Sequence, residues 1–102
     1  MNVRTLCLGV LSGGEASGYE IKKDIEEGLF SHFIEASFGS IYPALMRLEQ
    51  NGWITTKWGV SETNRKVKIY SLTRAGAKRL HVEVANWEQA TALVARVLGA
   101  KA

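Results

Sequence analysis

Four side chains that can donate hydrogen bonds lie within five positions in the second half of the chain. They are Asn64, Arg65, Lys66 and Lys68. Such a cluster suits an anionic partner, above all the phosphates of nucleic acid. Residues 59–65 are polar and flexible enough to form a hairpin tip between two strand-like segments. Exposed cations are often merely solvated, but this clustering favours a basic hairpin that contacts the DNA backbone or the minor groove.

A second group of polar side chains lies on a predicted helix upstream of this hairpin. Apolar residues recur there at spacings of three and four, which places them on one helical face. They are Ile41, Leu45 and Leu48. Ser40, Tyr42 and Arg47 lie on or near the opposite face, from which we expect them to enter a major groove. For Tyr42, half-buried packing is an equally good interpretation.

A third group of donors lies at the start of an earlier helix. Tyr19, Lys22 and Lys23 lie in or after the sequence Ser-Gly-Tyr-Glu, whose serine and glutamate form a capping box. Backbone N–H groups at a helix start, together with these side chains, suit a phosphate. The alternative is a solvated face on which Lys22 pairs with Glu26 and Lys23 with Glu27.

The titratable residues give little support to an enzyme. His32 and His81 are far apart in sequence, and neither has a ligand-like spacing to another histidine, cysteine or carboxylate. The single cysteine, Cys7, lies within an apolar run, so we expect a small buried residue rather than a redox sensor. No nucleophile elbow or phosphate-cradling glycine motif occurs. We therefore expect no catalytic residues, no metal site and no cofactor.

Three helices are predicted in the first half of the chain. The first, at residues 2–11, is apolar and is followed by two glycines that favour a turn. The second begins after Ser17 and ends near Gly28. The third begins at Ser37 or Ser40, between which the sequence does not decide.

A hairpin follows these helices. Aromatic and β-branched residues predict strands at 53–60 and 66–73. Trp53 and Trp58 flank or lie in the first strand, where we expect them to pack in the core or on the sheet. Three helices and a hairpin in this order predict an α+β fold that is mainly α, a winged helix-turn-helix domain over residues 1–73.

The last predicted helix extends from Thr73, its N-cap, to about Leu98. Along it, residues recur at alternating spacings of four and three, as in the seam of a coiled coil. They are Leu80, Val84, Trp87, Thr91, Val94 and Leu98. A single helix with such a seam needs a partner, so we expect residues 74–102 to form the interface of a homodimer. Trp87 either interdigitates with its mate or lines a cavity for a small planar aromatic effector.

Composition limits the class of protein. With 102 residues the chain is one small domain, part of whose apolar surface needs a second copy to cover it. A net charge of +3 permits nucleic-acid binding without requiring it. This modest charge leaves a second interpretation open, a winged-helix module that binds another protein. Because no signal-peptide pattern and no apolar stretch of membrane-spanning length occur, we expect a cytoplasmic protein without membrane contact.

Several short motifs resemble those of the PadR family of bacterial transcriptional regulators. In order, they are GYEI at 18–21, GSIYPAL at 39–45, LE at 48–49, Gly52, YSLT at 70–73 and Gly76. Each is weak alone, but the ordered set is specific. The wing departs from the family's commoner Gly-Arg-Pro-Arg-Lys type, because residues 62–68 keep the basic residues but lack the glycine and proline.

The resemblance implies a winged helix-turn-helix regulator, usually a repressor at palindromic operators, whose C-terminal helix mediates homodimerisation. It places Ser40 and Tyr42 on the recognition helix, and Arg65, Lys66 and Lys68 in the basic wing. The region after the last motif is too short for the larger C-terminal domain of some relatives. A single helix is therefore expected to pair the subunits.

Overall fold

The computed structural model describes residues 3–27 and 41–101. In these ranges the elements are α1 (Val3–Ser12), β1 (Ala16–Ser17), α2 (Gly18–Glu27), α3 (Ile41–Gln50), β2 (Ile54–Val60), β3 (Lys66–Leu72) and α4 (Arg74–Lys101). The predicted order of helices and strands is confirmed, and the fold is α+β and mainly helical. The predicted end of the second helix at Gly28, and the predicted start of the third at Ser37 or Ser40, lie outside the described residues.

Helix α1 is the centre of the hydrophobic core. Its residues Leu6, Cys7, Leu8 and Leu11 are buried, because α2, α3 and α4 all pack against it. The apolar residues that complete the core include Ile21, Ile25, Ile41, Leu45, Leu48, Ile54 and Tyr70. Burial raises the pKa of the Cys7 thiol to about 12, so this thiol stays protonated at neutral pH. The expectation of a small buried cysteine is confirmed.

A capping box starts α2, as predicted. Ser17 Oγ accepts a hydrogen bond from the backbone N–H of Glu20 at 3.2 Å, and Glu20 Oε1 accepts one from the backbone N–H of Ser17 at 3.0 Å. Ala16 and Ser17 also form β1, which pairs antiparallel with Tyr70 and Ile69 of β3. The sheet order is therefore β1-β3-β2. Strand β1 was not predicted, because two residues are too few to show an alternating pattern.

Gly52 turns the chain from α3 into the sheet. Its φ of 75° lies in the left-handed region, which glycine adopts without steric cost. The N–H of Gly52 donates to the carbonyl of Glu49, and the N–H of Trp53 donates to the carbonyl of Leu48, both at 3.0 Å. This pair of hydrogen bonds is a Schellman motif, which ends the helix and directs the chain into β2.

Strands β2 and β3 form an antiparallel hairpin in continuous register. Residues 61–65 connect them. The Ser61 N–H donates to the Arg65 carbonyl at 2.8 Å, and Asn64 adopts a left-handed φ of 60°, which asparagine tolerates better than most residues. The predicted hairpin tip is confirmed at 61–65, whereas Gly59 and Val60, which the prediction included in the tip, belong to β2. The turn is made without glycine or proline.

Helix α4 begins at the predicted cap and ends later than predicted. Thr73 Oγ1 accepts a hydrogen bond from the Gly76 N–H at 3.0 Å and donates one to the Gly52 carbonyl at 2.7 Å. The helix continues past Leu98 to Lys101. It packs against α1, whereas most of the side chains described in its second half are exposed. None of the helices that the structure describes has both the length and the apolar character that crossing a membrane requires.

Candidate nucleic-acid interface

Helix α3 has one buried and one exposed face, as its spacing predicted. The buried residues are Ile41, Ala44, Leu45 and Leu48. The exposed residues include Tyr42, Met46 and Arg47. A phenol and a guanidinium on an exposed helix are groups that can hydrogen-bond to base edges and phosphates. Ser40, the third predicted residue of this face, lies outside the described residues.

Tyr42 joins the start of α3 to the start of α2. Its ring lies so close to Gly18 that a Cβ on this glycine would be 2.8 Å from Tyr42 Cε1. The tyrosine is nevertheless 53% exposed. Packing therefore accounts for one edge of the ring, and the other edge is free to contact a partner.

The start of α2 supports a phosphate site less well than predicted. Tyr19 and Lys23 are exposed, and Lys22 is partly exposed. However, the N–H of Glu20 already donates to the capping serine, and the Glu20 carboxylate lies at the same helix end. Lys22 Nζ also lies 3.9 Å from a carboxylate oxygen of Glu26, in the surface pair that the spacing predicted. An occupied N–H and nearby negative charges both weaken the attraction of this helix end for phosphate.

Glu49 joins α3 to the hairpin. Its Oε2 accepts a hydrogen bond from Thr56 Oγ1 at 2.8 Å, and its Oε1 lies 3.9 Å from Lys68 Nζ. Burial first, and then the charge of Glu49, raises the pKa of Tyr70. These contacts hold the hairpin beside α3, so the exposed helix face and the basic strand are neighbours. Glu49 was not among the predicted site residues. Its position in the LE motif at 48–49 is the sequence feature that could have indicated its role.

The predicted donors of the hairpin occupy three different environments. Asn64 and Arg65 are exposed at the tip, where Arg65 forms no ion pair with any residue that the structure describes. Lys66 Nζ lies 4.9 Å from the centroid of the Trp58 ring. Lys68 is partly neutralised by Glu49. The structure thus brings all four donors onto the hairpin, with Asn64 and Arg65 at its tip.

The expectation that Trp58 packs in the core or on the sheet is wrong. Trp53 packs against the core as predicted, and the Arg79 guanidinium lies 5.2 Å from its ring centroid. Trp58, in contrast, is 63% exposed. The reason is that burial in the hairpin is confined to the end near Ile54 and Tyr70, and the rest of the hairpin projects beyond it.

A cavity elsewhere among the described residues is small for a ligand. Its volume is about 50 Å³, and it is lined by residues of α1, α3 and α4 together with Trp53, whereas pockets for small ligands typically hold about 300 Å³ or more. No group of three or more His, Cys, Asp or Glu side chains in residues 3–27 and 41–101 could hold a metal ion. His81 is exposed on α4, and His32 lies outside the described residues. The surface formed by α3 and the hairpin is therefore the best candidate for function.

Comparison with known proteins decides the family. Residues 7–82 match the family described as "Transcriptional regulator PadR-like family". The chain belongs to this family. The match contains α2, α3 and the hairpin, which are the elements of the candidate interface. The family resemblance is confirmed, and the family is one of transcriptional regulators.

One relative within the family is the Bacillus subtilis (strain 168) protein named "Negative transcriptional regulator PadR". The two are 39% identical over 74 residues, which are 72% of this chain and 40% of the relative. This chain therefore matches less than half the length of that relative.

Solved structures of related proteins share the fold. A transcriptional regulator from Clostridium thermocellum superposes with a TM-score of 0.78 at 30% identity, over 92% of this chain and 87% of that one. Bacillus subtilis PadR in complex with operator DNA superposes with a TM-score of 0.70 at 36% identity, over 79% of this chain and 45% of that one. The predicted winged helix-turn-helix fold is confirmed by these likenesses.

Proposed function

We propose that this chain is a homodimeric, sequence-specific DNA-binding regulator that represses transcription from a palindromic operator. The observation that carries the proposal is the exposed face of α3 beside a basic hairpin, with Glu49 joining the two. In this arrangement Tyr42 and Arg47 enter the major groove, and Arg65 and Lys66 contact the backbone or the minor groove. The Bacillus subtilis relative, which is a negative regulator by name and is solved with operator DNA, supports both binding and repression.

The apolar side of α4 supports the homodimer. Val84, Trp87, Val94 and Leu98 are between 36% and 64% exposed in one subunit, and Thr91 is exposed among them. Leu80, the first seam residue, is partly buried against the core of its own subunit. An apolar stripe of this extent favours a partner, and its heptad spacing favours a second copy of the same helix. Residues 74–102 then pair the subunits, and residues 1–73 of each bind DNA.

A two-fold axis determines how such a dimer reads DNA. Two recognition helices related by this axis enter successive major grooves roughly 34 Å apart, so the operator is palindromic. A DNA-binding regulator works where the chromosome lies, so we expect the protein in the cytoplasm.

Trp87 supports a small planar aromatic effector as a further ligand of the dimer. Its ring is 41% exposed on the seam of one subunit, so a second copy is needed to close a cavity around it. Aromatic rings in such a site stack on flat ligands in offset or edge-to-face geometry.

The rival function is a winged-helix module that binds another protein, and it is motivated by the net charge of +3. The placement of the charge favours DNA instead. Arg65 and Lys66 concentrate two cations at the end of the hairpin, beside the exposed face of α3, where a duplex would pass. Absence of binding to any duplex at low salt, by a folded dimer, would favour the protein-binding module.

Salt titration of DNA binding tests the proposed function. Arg65→Ala combined with Lys66→Ala removes two phosphate contacts, so binding weakens for all sequences and the slope of log K against log salt falls by about 2. The measurement is the fluorescence anisotropy of a labelled duplex taken from upstream of the protein's own gene.

A matched control separates contact from net charge. Lys78→Ala combined with Arg96→Ala removes the same two charges from exposed positions on α4, and we expect it to keep the wild-type slope. An unchanged slope in the hairpin variant would show that these two side chains do not contact phosphates.

A further inference from the structure

We propose that Trp58 and Val60 pack against the deoxyribose walls of the minor groove when the protein binds duplex DNA, while Lys66 places its ammonium group on the adjacent phosphate. The inference rests on the proposed function and adds to it an apolar contact that contributes affinity without reading sequence. It gives a role to an aromatic side chain that lies outside the core and stays largely exposed.

Two exposed apolar side chains form a patch at the end of β2, next to the hairpin tip. Trp58 is 63% exposed and Val60 is 68% exposed, and they are alternate residues of β2, so their side chains point to the same face of the sheet. The described helices leave this part of the face exposed, and the buried residues of the hairpin lie nearer its other end. The patch thus leaves apolar surface in water that a partner would cover.

The register surrounds this patch with positive charge. Trp58 is opposite Lys68 and Val60 is opposite Lys66, so all four side chains share one face. Lys66 Nζ lies 4.9 Å from the Trp58 ring centroid, which holds a cation directly beside the aromatic surface. An apolar patch with a cationic rim matches the edge of a duplex, where deoxyribose C–H groups alternate with phosphates.

The patch also lies on the side of the hairpin that meets α3. Thr56, on the same face as Trp58, donates its hydrogen bond to Glu49 of α3. The patch therefore lies on the same face of the hairpin that contacts α3, nearer the hairpin tip. A duplex that holds α3 in its major groove passes the hairpin on this side, at the neighbouring minor groove.

A second copy of the chain is a poor occupant for this surface. Two such patches facing each other would bring Arg65, Lys66 and Lys68 of both copies together, and like charges in contact are unfavourable. Minor grooves, in contrast, receive apolar side chains in many DNA-binding proteins, with basic residues beside them. Charge complementarity therefore favours DNA.

Salt titration with substituted proteins tests the inference. The probe is a fluorescein-labelled duplex, and the titration starts at low salt. Its sequence is random because the contact carries no sequence information. Trp58→Ala should weaken binding about tenfold at every salt concentration, as is typical for loss of an aromatic contact with nucleic acid. Its slope of log K against log salt should equal that of the wild type, whereas Lys66→Ala should lower the slope by about 1. Trp58→Phe keeps an apolar ring and should keep most of the affinity.

A spectroscopic measurement reports contact directly. Protein labelled with 5-fluorotryptophan gives resonances for its three tryptophans, and Trp58→Phe assigns the one of interest. Added duplex should shift the Trp58 resonance and leave that of Trp53, which packs against the core, in place.

The outcomes separate this inference from the proposed function. Wild-type affinity in Trp58→Ala, a reduced salt slope in that variant, or an unmoved Trp58 resonance would each overturn the minor-groove contact while DNA binding stands. A wild-type protein that is a folded dimer and binds no duplex would overturn both.

Discussion

Single residues at the junction of α3, β2 and α4 determine how the proposed interface is built. Glu49 holds Thr56 and Lys68, and Thr73 links the start of α4 to the carbonyl of Gly52. Each of these contacts joins two elements of the fold, and the Thr73 N–H adds a hydrogen bond to the Trp53 carbonyl at 3.1 Å. The direction of the hairpin relative to α3 is therefore set by specific hydrogen bonds as well as by burial.

Gly76 gives a prediction about stability at this junction. A Cβ at Gly76 would lie 1.9 Å from the carbonyl oxygen of Trp53, which is backbone and cannot rotate away. We expect Gly76→Ala to lower the free energy of unfolding by about 2 kcal/mol, a typical cost of overpacking, even though alanine favours helices. Urea denaturation followed by circular dichroism measures this change.

The control substitution is on the same helix. Gly99 has no atom within 4 Å of an added Cβ, so Gly99→Ala should leave stability unchanged or raise it by less than about 1 kcal/mol. Equal midpoints for the two variants would show that the approach of Gly76 to the Trp53 carbonyl has no energetic consequence.

The residues that sequence predicted best are those with local partners. Ser17 and Glu20 are three positions apart, and Thr73 caps a helix that begins at the next residue, so a short stretch of sequence contains the whole interaction. Glu49 was missed and Trp58 was wrongly placed because nearby residues in the sequence do not determine their surroundings. Their surroundings depend on how far the helices extend across the sheet, which no local pattern encodes.

Among the elements that the structure describes, apolar runs, helical periodicity, capping residues and residue types predicted the four helices and both long strands. Strand β1 was missed because its two residues become a strand only by pairing with β3. Helix α4 shows the limit of this kind of prediction. Its heptad spacing indicates which side is apolar, but Leu80 packs partly on its own core while Leu98 is 64% exposed. The heptad spacing therefore does not separate residues that pack within the subunit from residues that stay exposed for a partner.

The exposed stripe of α4 gives a prediction about assembly. Trp87→Glu would place a charge from each subunit within the proposed seam, and burying unpaired like charges is costly. We expect this variant to be a folded monomer in sedimentation velocity, under conditions in which the wild type is a dimer. Trp87 is 41% exposed in one subunit, so the fold of the monomer should persist.

The control introduces the same charge on another face of the helix. Gln89 is exposed and lies about 200° around the helix from Trp87, so Gln89→Glu should remain a dimer. A dimer of unchanged affinity in Trp87→Glu would place the interface elsewhere on the chain.

The whole molecule is elongated, and its length comes from α4. It measures 57 × 27 × 21 Å, and a helix of 28 residues accounts for about 42 Å. The core, α3 and the hairpin lie toward one end of this helix, while the apolar stripe occupies the rest. Pairing through the stripe would therefore fix the distance between two copies of the candidate interface.

Selection of bound fragments from random double-stranded DNA tests whether a homodimer reads a palindromic operator, since it reports binding, sequence preference and symmetry together. We expect enrichment of an inverted repeat whose half-sites are centred about 10 base pairs apart, one turn of the duplex. Failure to enrich any sequence with folded, dimeric protein, or enrichment of a single unrepeated site, would contradict it.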